Sequence, residues 1–297
     1  MAVATLASRT VLVTGATSGI GLETARQLAE RGAVVLVHGR TAEEARAAVD
    51  RVIALSADVQ GAQLRAVSAD FAHLDEVAEL AHTVVAEYPR LDVLVNNAAT
   101  AAPERYTLTD DGNEIAFQVN FLAHYLLTCL LEPVLTAAPD GGRVVNVSSS
   151  LHRTAAIQWA DPNRARRYSR LAAYAQSQLA LTVFAADPRV SAVSVHPGVC
   201  ETELLPLYAH DGATAAEGAT HVVRLCDPAT EIVNGAYYER AERVQPAAAA
   251  TEERTVKRLN KLADRMVGMS GTAGVNGMGG MSGMSGNGAE GAEGGAR

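Results

Sequence analysis

Three glycines near the N-terminus have the spacing of a phosphate-binding turn, in the sequence Thr14-Gly-Ala-Thr-Ser-Gly-Ile-Gly21. The first glycine permits a tight turn, the second lets the backbone approach a pyrophosphate, and the third allows a helix to pack closely on a strand. A helix that starts here directs its free N–H groups and its dipole toward the phosphates. The turn therefore predicts a dinucleotide-binding site, with contacts from Gly15, Thr17, Ser18, Gly19, Ile20 and Gly21.

The residues that follow the second predicted strand indicate which dinucleotide binds. An acidic residue there would accept a hydrogen bond from a ribose 2′-hydroxyl and would repel a 2′-phosphate. The sequence has His38-Gly39-Arg40 instead, and an arginine can pair bidentately with a phosphate. We therefore predict NADP(H) as the cofactor, held in part by Arg40. The alternative is that Arg40 is a solvated loop residue.

Short β-branched segments alternate with longer segments of helical period along the chain. The short segments, rich in Val and Leu and typical of buried parallel strands, are Val11–Thr14, Val34–Val37, Leu64–Ser68, Val93–Asn96, Val144–Ser148 and Ala192–Val195. The helical segments are Leu22–Glu30, Thr41–Leu55, Leu74–Glu87, Glu114–Leu135 and Leu171–Ala185. This alternation predicts an α/β fold with a doubly wound parallel sheet of the Rossmann type, in a single domain spanning residues 1–267.

Residues 268–297 differ from the rest of the chain because they are rich in Gly, Met and Ser. Gly recurs at every third position from Gly268 to Gly286, but no proline is present there to favour a collagen-like helix. Such a segment buries too little apolar area to offset the entropy lost on ordering. We expect a disordered tail; the alternative is a Met-rich contact segment.

The composition excludes several classes of function. A formal net charge of −8 with scattered basic residues gives no reason to expect a nucleic-acid partner. Cys129, Cys200 and Cys226 lie far apart without a CxxC pair, so we expect neither a disulfide framework nor a metal site. The segment Met1–Thr10 lacks a long apolar core, and no apolar stretch approaches about 18 residues. We therefore expect a cytoplasmic protein with no signal peptide and no membrane span.

Several motifs together resemble the short-chain dehydrogenase/reductase superfamily: the TGxxxGxG turn, Asp70, and Asn96-Asn97-Ala98-Ala99. Members of that superfamily are Rossmann oxidoreductases that move a hydride between a nicotinamide and a carbonyl or alcohol. The resemblance to the retinol-dehydrogenase-like branch runs through the segments Leu91–Ala99, Asp111–Leu131, Gly142–His152, Tyr174–Leu181, His196–Glu203, Gly235–Tyr238 and Arg258–Gly268.

The resemblance implies roles for residues around the cofactor. Asp70 is similar to the group that accepts a hydrogen bond from the adenine amine. Asn97, followed by Ala98, is similar to the residue that stabilises the central strand beside the cofactor. The segment that begins with Pro197 and Gly198 and ends at Thr202 resembles the loop that holds the nicotinamide carboxamide.

The resemblance also implies a set of catalytic residues. Tyr174 resembles the acid/base, Ser149 the serine that orients the substrate oxygen, and Asn120 the asparagine that holds a water in a proton relay. The alternatives are that Asn120 only bridges within its helix and that Ser149 is an ordinary residue at a strand end. Tyr168 competes with Tyr174, but only Tyr174 begins the sequence Tyr-Ala-Gln-Ser found in the branch. Cys200, near the expected nicotinamide, is interpreted as a small buried residue and not as a nucleophile.

Gln178 stands where the family has a lysine, four residues after the active tyrosine. The spacing of four places both side chains on one face of a helix. A carboxamide can still bind the nicotinamide ribose, but it brings no positive charge to lower the pKa of Tyr174. We therefore predict that Gln178 is a ribose ligand and that turnover is slow. Arg170, one turn before Tyr174, is the candidate to supply the missing charge.

Two further features of the sequence concern the length of the active-site helix and the surface of the expected lid. Tyr174 and Pro197 are 23 positions apart, which shortens the active-site helix by about two turns relative to the family pattern. This helix usually joins the subunit interface in the superfamily, so we expect a monomer or a weak homodimer.

The expected lid, Ser150–Arg170, is either a site for an anionic substrate or a solvated face. It contains Trp159 and the arginines Arg153, Arg164, Arg166, Arg167 and Arg170.

The leading hypothesis is an NADP(H)-dependent oxidoreductase acting on a carbonyl or alcohol of a small, fairly apolar molecule. Two other hypotheses remain open: a non-redox enzyme that keeps the cofactor as a scaffold, and a regulatory protein that binds NADPH without turnover. Substrate specificity is expected to depend on the lid and on the segment Glu203–Ala216.

Overall fold

The computed structural model describes residues 5–56, 59, 63–187, 189, 191–208 and 211–269. Of the tail predicted at 268–297, only Gly268 and Met269 fall within these ranges. The predicted disorder of that tail therefore lies outside the described residues and stays a prediction.

Eight strands form one sheet. They are β1 (Thr10–Val13), β2 (Val34–Gly39), β3 (Leu64–Ser68), β4 (Val93–Asn96), β5 (Arg143–Val147), β6 (Ser191–His196), β7 (Tyr237–Glu239) and β8 (Glu242–Val244). Their order in the sheet is β3-β2-β1-β4-β5-β6-β7-β8. All neighbours are parallel except β7 and β8, which are antiparallel. The strand order reverses between β1 and β4, which is where a doubly wound sheet binds its ligand.

Helices cover both faces of this sheet. They are α1 (Gly19–Glu30), α2 (Ala42–Leu55), α3 (Leu74–Glu87), α4 (Ile115–Phe117), α5 (Ala123–Thr136), α6 (Arg170–Phe184), α7 (Ala215–Cys226) and α8 (Glu253–Met266). A π-helical turn, Gln118–Leu122, joins α4 to α5. The sequence prediction of a single-domain, doubly wound α/β fold is confirmed, and its six strands and five helices are all present.

The sequence analysis did not predict β7, β8, α7 or α8. The two strands have three residues each, which is too short for a period to be recognised. Two signals for the helices were present in the sequence. Thr214 and Glu217 form a capping box at the start of α7. Val256, Leu259, Leu262 and Ala263 recur at helical spacing and are buried in α8.

The central strands β1, β2, β4, β5 and β6 are buried on both faces, as a sheet covered by two helical layers requires. Val11 and Val13 of β1 pack into the core beneath α1 and α7. Leu12, between them, points to the opposite face and packs with α3 and α5. This alternation fixes the register of β1 and so the point at which the glycine-rich turn leaves the sheet.

A third apolar cluster joins α5, α6 and α8. Phe121 and Tyr125 pack with Phe184 of α6 and with Leu259 of α8. The Tyr125 hydroxyl donates to the Asp264 carboxylate at 2.6 Å. Helix α8 therefore covers, within the same chain, the outer surface of the shortened helix α6.

The segment Ile115–Thr136 is apolar enough and, at 22 residues, long enough to cross a membrane. However, 72% of the most apolar 18-residue window of this segment is buried inside the protein. Its side chains supply much of the two cores that contain α3 and α8. The hydrophobicity of this helix is therefore accounted for by its position inside the domain.

Candidate active site

A cavity of about 780 Å³ opens at the carboxyl ends of the strands, beside the reversal between β1 and β4. All the residues predicted to bind the cofactor lie on the wall of this cavity. They are Gly15, Thr17, Ser18, Gly19, Ile20, Gly21, Arg40, Asp70, Asn97, Ala98, Gln178, Pro197, Gly198 and Thr202. Tyr174 also lines the cavity, whereas Asn120 and Ser149 lie behind its wall.

The glycine-rich turn tolerates no side chain at two of its glycines. Gly15 has a φ of +61°, and a Cβ there would lie 2.7 Å from the Ala98 Cα. A Cβ on Gly21 would lie 2.2 Å from the Gly15 carbonyl oxygen. Within the described chain, the Ser18 side chain makes no cap bond to α1. The backbone is therefore bare where the helix dipole and N–H groups face the cavity, as a phosphate site requires.

Thr14 and Asn97 hold this turn against the end of β4. The Thr14 Oγ1 accepts hydrogen bonds from the amides of Asn97 at 2.8 Å and of Ala98 at 3.0 Å. The Asn97 Nδ2 donates to the carbonyls of Thr14 at 2.9 Å and Gly15 at 3.1 Å. The side chain of Asn97 thus joins the central strand to the turn, the position that its predicted role needs.

His38 fixes the other side of the turn, a role that the sequence analysis did not predict. Its Nδ1 accepts from the Gly15 amide at 3.0 Å, and its Nε2 lies 3.1 Å from the Ala69 carbonyl. Burial lowers the pKa of His38 to about 4. The ring is therefore neutral at pH 7, with Nδ1 as acceptor and the proton on Nε2.

Tyr174 occupies the site expected of the acid/base, and Tyr168 does not. Tyr174 is buried on α6 and lines the cavity. Burial raises the pKa of Tyr174 well above its ordinary value, the Tyr208 phenol raises this pKa further, and the Ser149 hydroxyl lowers it. Tyr168 packs against Tyr106 and donates its hydroxyl to the Pro103 carbonyl at 2.5 Å. The geometry therefore favours Tyr174 as the reactive phenol.

Ser149 is in contact with a residue that the sequence analysis did not single out. Its Oγ accepts from the Leu151 amide at 3.0 Å and lies 2.6 Å from the Tyr208 hydroxyl oxygen. Tyr208 belongs to the segment expected to set specificity, and it lines the cavity. No local pattern distinguishes this tyrosine, because its partner lies 59 residues earlier in the chain.

Asn120 lies in the π-helical turn between α4 and α5, a geometry often found at functional sites. Its Oδ1 accepts from the Thr100 amide at 2.8 Å, and its Nδ2 donates to the Thr100 carbonyl at 3.0 Å and to the Ser177 hydroxyl at 2.9 Å. Asn120 thus joins the loop after β4 to α6 on the cavity's inner side. Its role in a proton relay stays a prediction.

Gln178 is buried on the same helix face as Tyr174 and lines the cavity. Among the described residues, its Oε1 has no hydrogen-bond partner. A buried acceptor without a partner is costly, and a ribose hydroxyl would satisfy it. The residues around the cavity therefore fit a nicotinamide dinucleotide.

Arg40 lines the cavity but is already engaged with a carboxylate that comes from the next helix. Its Nη2 lies 2.7 Å from the Glu44 Oε1, and 71% of its side chain is exposed. The residues at the end of β2, His38-Gly39-Arg40, include no acidic residue, but the first turn of α2 brings Glu44 to this point. A 2′-phosphate would compete with Glu44 for the guanidinium.

The arginines of the lid, with one exception, do not face the cavity. Arg170 lines it, and its Nη1 lies 2.8 Å from the Glu104 carboxylate. Arg153 pairs with Glu239 at 3.0 Å, away from the cavity. The geometry therefore favours the solvated-face interpretation of the lid over a site for an anionic substrate.

Cys200 is buried beside the cavity, with its Sγ 3.7 Å from the Gly198 carbonyl oxygen. Burial raises the pKa of this thiol, so it is protonated at neutral pH. Both observations agree with the interpretation of Cys200 as a packing residue.

Comparison with known proteins gives a consistent result. A family model described as short chain dehydrogenase matches residues 9–211. Mouse retinol dehydrogenase 13 is 33% identical over 295 residues, covering 90% of this chain and 86% of the relative. Mouse polyprenol dehydrogenase is 35% identical over 289 residues, covering 88% and 84%. A Shigella flexneri short chain dehydrogenase structure complexed with NADP is 25% identical, with a TM-score of 0.64 and coverage of 80% and 99%.

A doubly wound sheet, a glycine-rich phosphate turn and a buried phenol on one cavity define a dinucleotide-dependent enzyme. The chain belongs to the short-chain dehydrogenase/reductase family, in its retinol-dehydrogenase-like branch, and is an oxidoreductase. The resemblance inferred from the sequence motifs is thereby confirmed.

Proposed function

We propose that the protein is an NADP(H)-dependent oxidoreductase for a carbonyl or alcohol group of a small, fairly apolar molecule. The observation that carries this proposal is that Tyr174 lines the same cavity as the glycine-rich turn and Gln178. One cavity therefore presents a proton donor beside a surface that fits a dinucleotide. When bound there, the nicotinamide would supply or accept the hydride.

The chain's own residues divide the work of binding. The backbone at Gly19 and the start of α1 would hold the phosphates. The unpartnered Gln178 Oε1 would accept from a ribose hydroxyl. The turn that contains Pro197 and ends at Thr202 lines the same cavity and would hold the nicotinamide end, as the family loop that it resembles does.

Tyr174 would donate the proton to the carbonyl oxygen, and Ser149 would orient that oxygen. Because the pKa of Tyr174 is raised well above its ordinary value, the phenol is protonated at neutral pH and ready to act as an acid. The reverse reaction requires the tyrosinate, which is scarce at this pH. Alcohol oxidation should therefore speed up as the pH rises, while carbonyl reduction stays level until the phenol ionises.

The substrate is proposed to be apolar because of the side chains on the cavity wall. They include Ala101, Ala102, Pro103, Ile115 and Leu204. Two relatives named for apolar alcohols, retinol dehydrogenase 13 and polyprenol dehydrogenase, support the same class.

The direct test is to incubate the protein with NADPH and apolar ketones or aldehydes. We expect NADPH to be consumed in a one-to-one ratio with the alcohol formed. Product formation with NADPH unchanged would favour the non-redox enzyme, and tight NADPH binding with no product from any carbonyl would favour the regulatory protein.

We also propose that the protein is a monomer or at most a weak homodimer. Helix α8 covers the outer surface of α6 through the cluster that contains Phe184 and Leu259, so that surface is not free to pair with a second copy. Sedimentation equilibrium is expected to give the mass of one chain, and a stable dimer would contradict this.

The preference for NADP(H) can be tested at Arg40. Arg40→Asp is expected to weaken NADPH binding by about 1.5 kcal/mol, or about tenfold. This value is the lower end of the range for a hydrogen bond to a charged group, and we choose it because the Arg40 side chain is largely exposed. NADH binding should change little. Glu44→Gln, which frees the guanidinium from its competitor, should tighten NADPH binding. Equal affinities of the unmutated protein for NADPH and NADH, measured by calorimetry, would contradict the preference.

A further inference from the structure

Three hydroxyl groups meet at the catalytic end of the cavity. The Ser149 Oγ lies 2.6 Å from the Tyr208 hydroxyl oxygen. The Tyr174 phenol is close enough to both for each to change its pKa. Two of these hydroxyls belong to residues already assigned to the reaction, whereas Tyr208 comes from the loop between β6 and α7.

Tyr208 stands between the cavity and Ser149. Ser149 is only 1% exposed and does not line the cavity, whereas Tyr208 does. A serine hydroxyl has one donor and two acceptor positions; the Leu151 amide and Tyr208 engage two of them, and the Tyr174 phenol is close enough to engage the third. Tyr174 must stay in place as the acid, so a substrate oxygen that contacts both Ser149 and Tyr174 has to replace the Tyr208 hydroxyl.

The loop that carries Tyr208 is attached to the domain at its base. The Ala213 amide donates to the Val199 carbonyl at 2.8 Å, and the Glu201 amide donates to the Ala213 carbonyl at 2.9 Å. Further along, the amides of Leu205 and Tyr208 donate to carbonyls within the loop itself, both at 2.9 Å. Tyr208 can therefore leave Ser149 without unpairing any strand of the sheet.

We propose that Tyr208 is a specificity-determining residue that occupies the position of the substrate oxygen until the substrate displaces it. The inference rests on the proposed function. Binding breaks the hydrogen bond between Tyr208 and Ser149 and displaces a half-buried aromatic ring. The oxygen of any carbonyl substrate restores the hydrogen bond to Ser149. A flat apolar group beside the carbonyl also fills the volume that the ring vacates, whereas a short aliphatic aldehyde leaves it empty and is therefore a poor substrate.

The test compares the unmutated protein with Tyr208→Phe and Tyr208→Ala, using 2-acetylnaphthalene and butanal as carbonyl probes with NADPH. Tyr208→Phe keeps the ring and removes only the hydroxyl, so KM for both probes should fall about 3- to 10-fold, the range of one net hydrogen bond, with kcat unchanged. Tyr208→Ala removes the ring as well. It should raise kcat/KM most for butanal and so reduce the discrimination between the probes. Tyr106→Phe, at a tyrosine that does not line the cavity, is the matched control.

A binding measurement separates this inference from the proposed function. The Kd of 2-acetylnaphthalene for the protein loaded with NADP⁺, a pair that has no hydride to transfer, should fall in Tyr208→Phe by the same factor as KM when it is measured by calorimetry. If the unmutated protein reduces neither carbonyl, the proposed function fails, and the Kd comparison still tests Tyr208. An unchanged Kd and KM in Tyr208→Phe would overturn the inference. A fall in kcat of more than about tenfold would also overturn it, since Tyr208 would then be a proton or hydrogen-bond donor in the reaction.

Discussion

Tyr174→Phe is expected to lower kcat for carbonyl reduction by at least about a hundredfold, within the range of about 10²–10⁴ that a positioned acid contributes. The substitution removes one oxygen from a buried ring, so packing is retained while the proton donor is lost. The Kd for NADPH should stay within about twofold, because the phosphate turn and Gln178 are untouched. Single-turnover reduction and calorimetry measure the two quantities.

Tyr168→Phe is the matched control for this prediction. Tyr168 is six positions earlier, does not line the cavity, and donates its hydroxyl to the Pro103 carbonyl. Its loss should leave kcat unchanged and at most lower the melting temperature slightly. Equal losses of kcat in the two variants would show that Tyr174 is not the acid, and the dehydrogenase reaction would then have to be abandoned for this chain.

Much of the cavity could be predicted from the sequence because its key residues follow local rules. The glycine-rich turn depends on backbone conformation and close approach at Gly15 and Gly21, which a short motif records. Tyr174 and Gln178 share a helix face because four residues separate them. The continuous apolar run of β1 reflects a sheet covered on both sides. Each of these features is specified within a few neighbouring residues.

What the sequence analysis missed depends on contacts between distant segments. Tyr208 meets Ser149 across 59 positions, and His38 binds Gly15 across 23. Glu44 is near Arg40 in sequence, but it was overlooked because only the residues of the strand end were considered. The arginines of the lid left an anion site open as one alternative, because their number is visible in the sequence whereas their directions are not. Arg153, for example, points to Glu239.

Gln178→Lys is expected to raise kcat/KM at pH 7 by about one to two orders of magnitude. An ammonium group one helical turn from Tyr174 would stabilise the tyrosinate and lower the pKa of the phenol, by about 1–3 units for an opposite charge at close range. At present no such charge offsets the burial that raises this pKa. The alkaline limb of the pH–rate profile should therefore shift toward neutral pH.

Reduction and oxidation must gain by the same factor at a fixed pH, because a substitution in the catalyst cannot change the equilibrium between alcohol and carbonyl. Measuring both directions with one substrate pair checks this directly. Gln178→Met is the matched control, since it keeps the length of the side chain but adds neither a charge nor a strong hydrogen-bonding group. It should leave the pH profile in place and weaken cofactor binding through the loss of the carboxamide.

Arg170 provides the alternative if the charge is already present. Its guanidinium lines the cavity but pairs with Glu104, whose side chain is 81% exposed. Such an exposed pair contributes little energy, so cofactor or substrate could draw the arginine inward. If Gln178→Lys leaves turnover flat while Tyr174→Phe abolishes it, Arg170 supplies the charge, and Arg170→Gln should then shift the alkaline limb to higher pH. If Arg170→Gln has no such effect, Tyr174 acts as an unassisted phenol, and the enzyme is slow because burial, uncompensated by any cation, keeps its acid too weak.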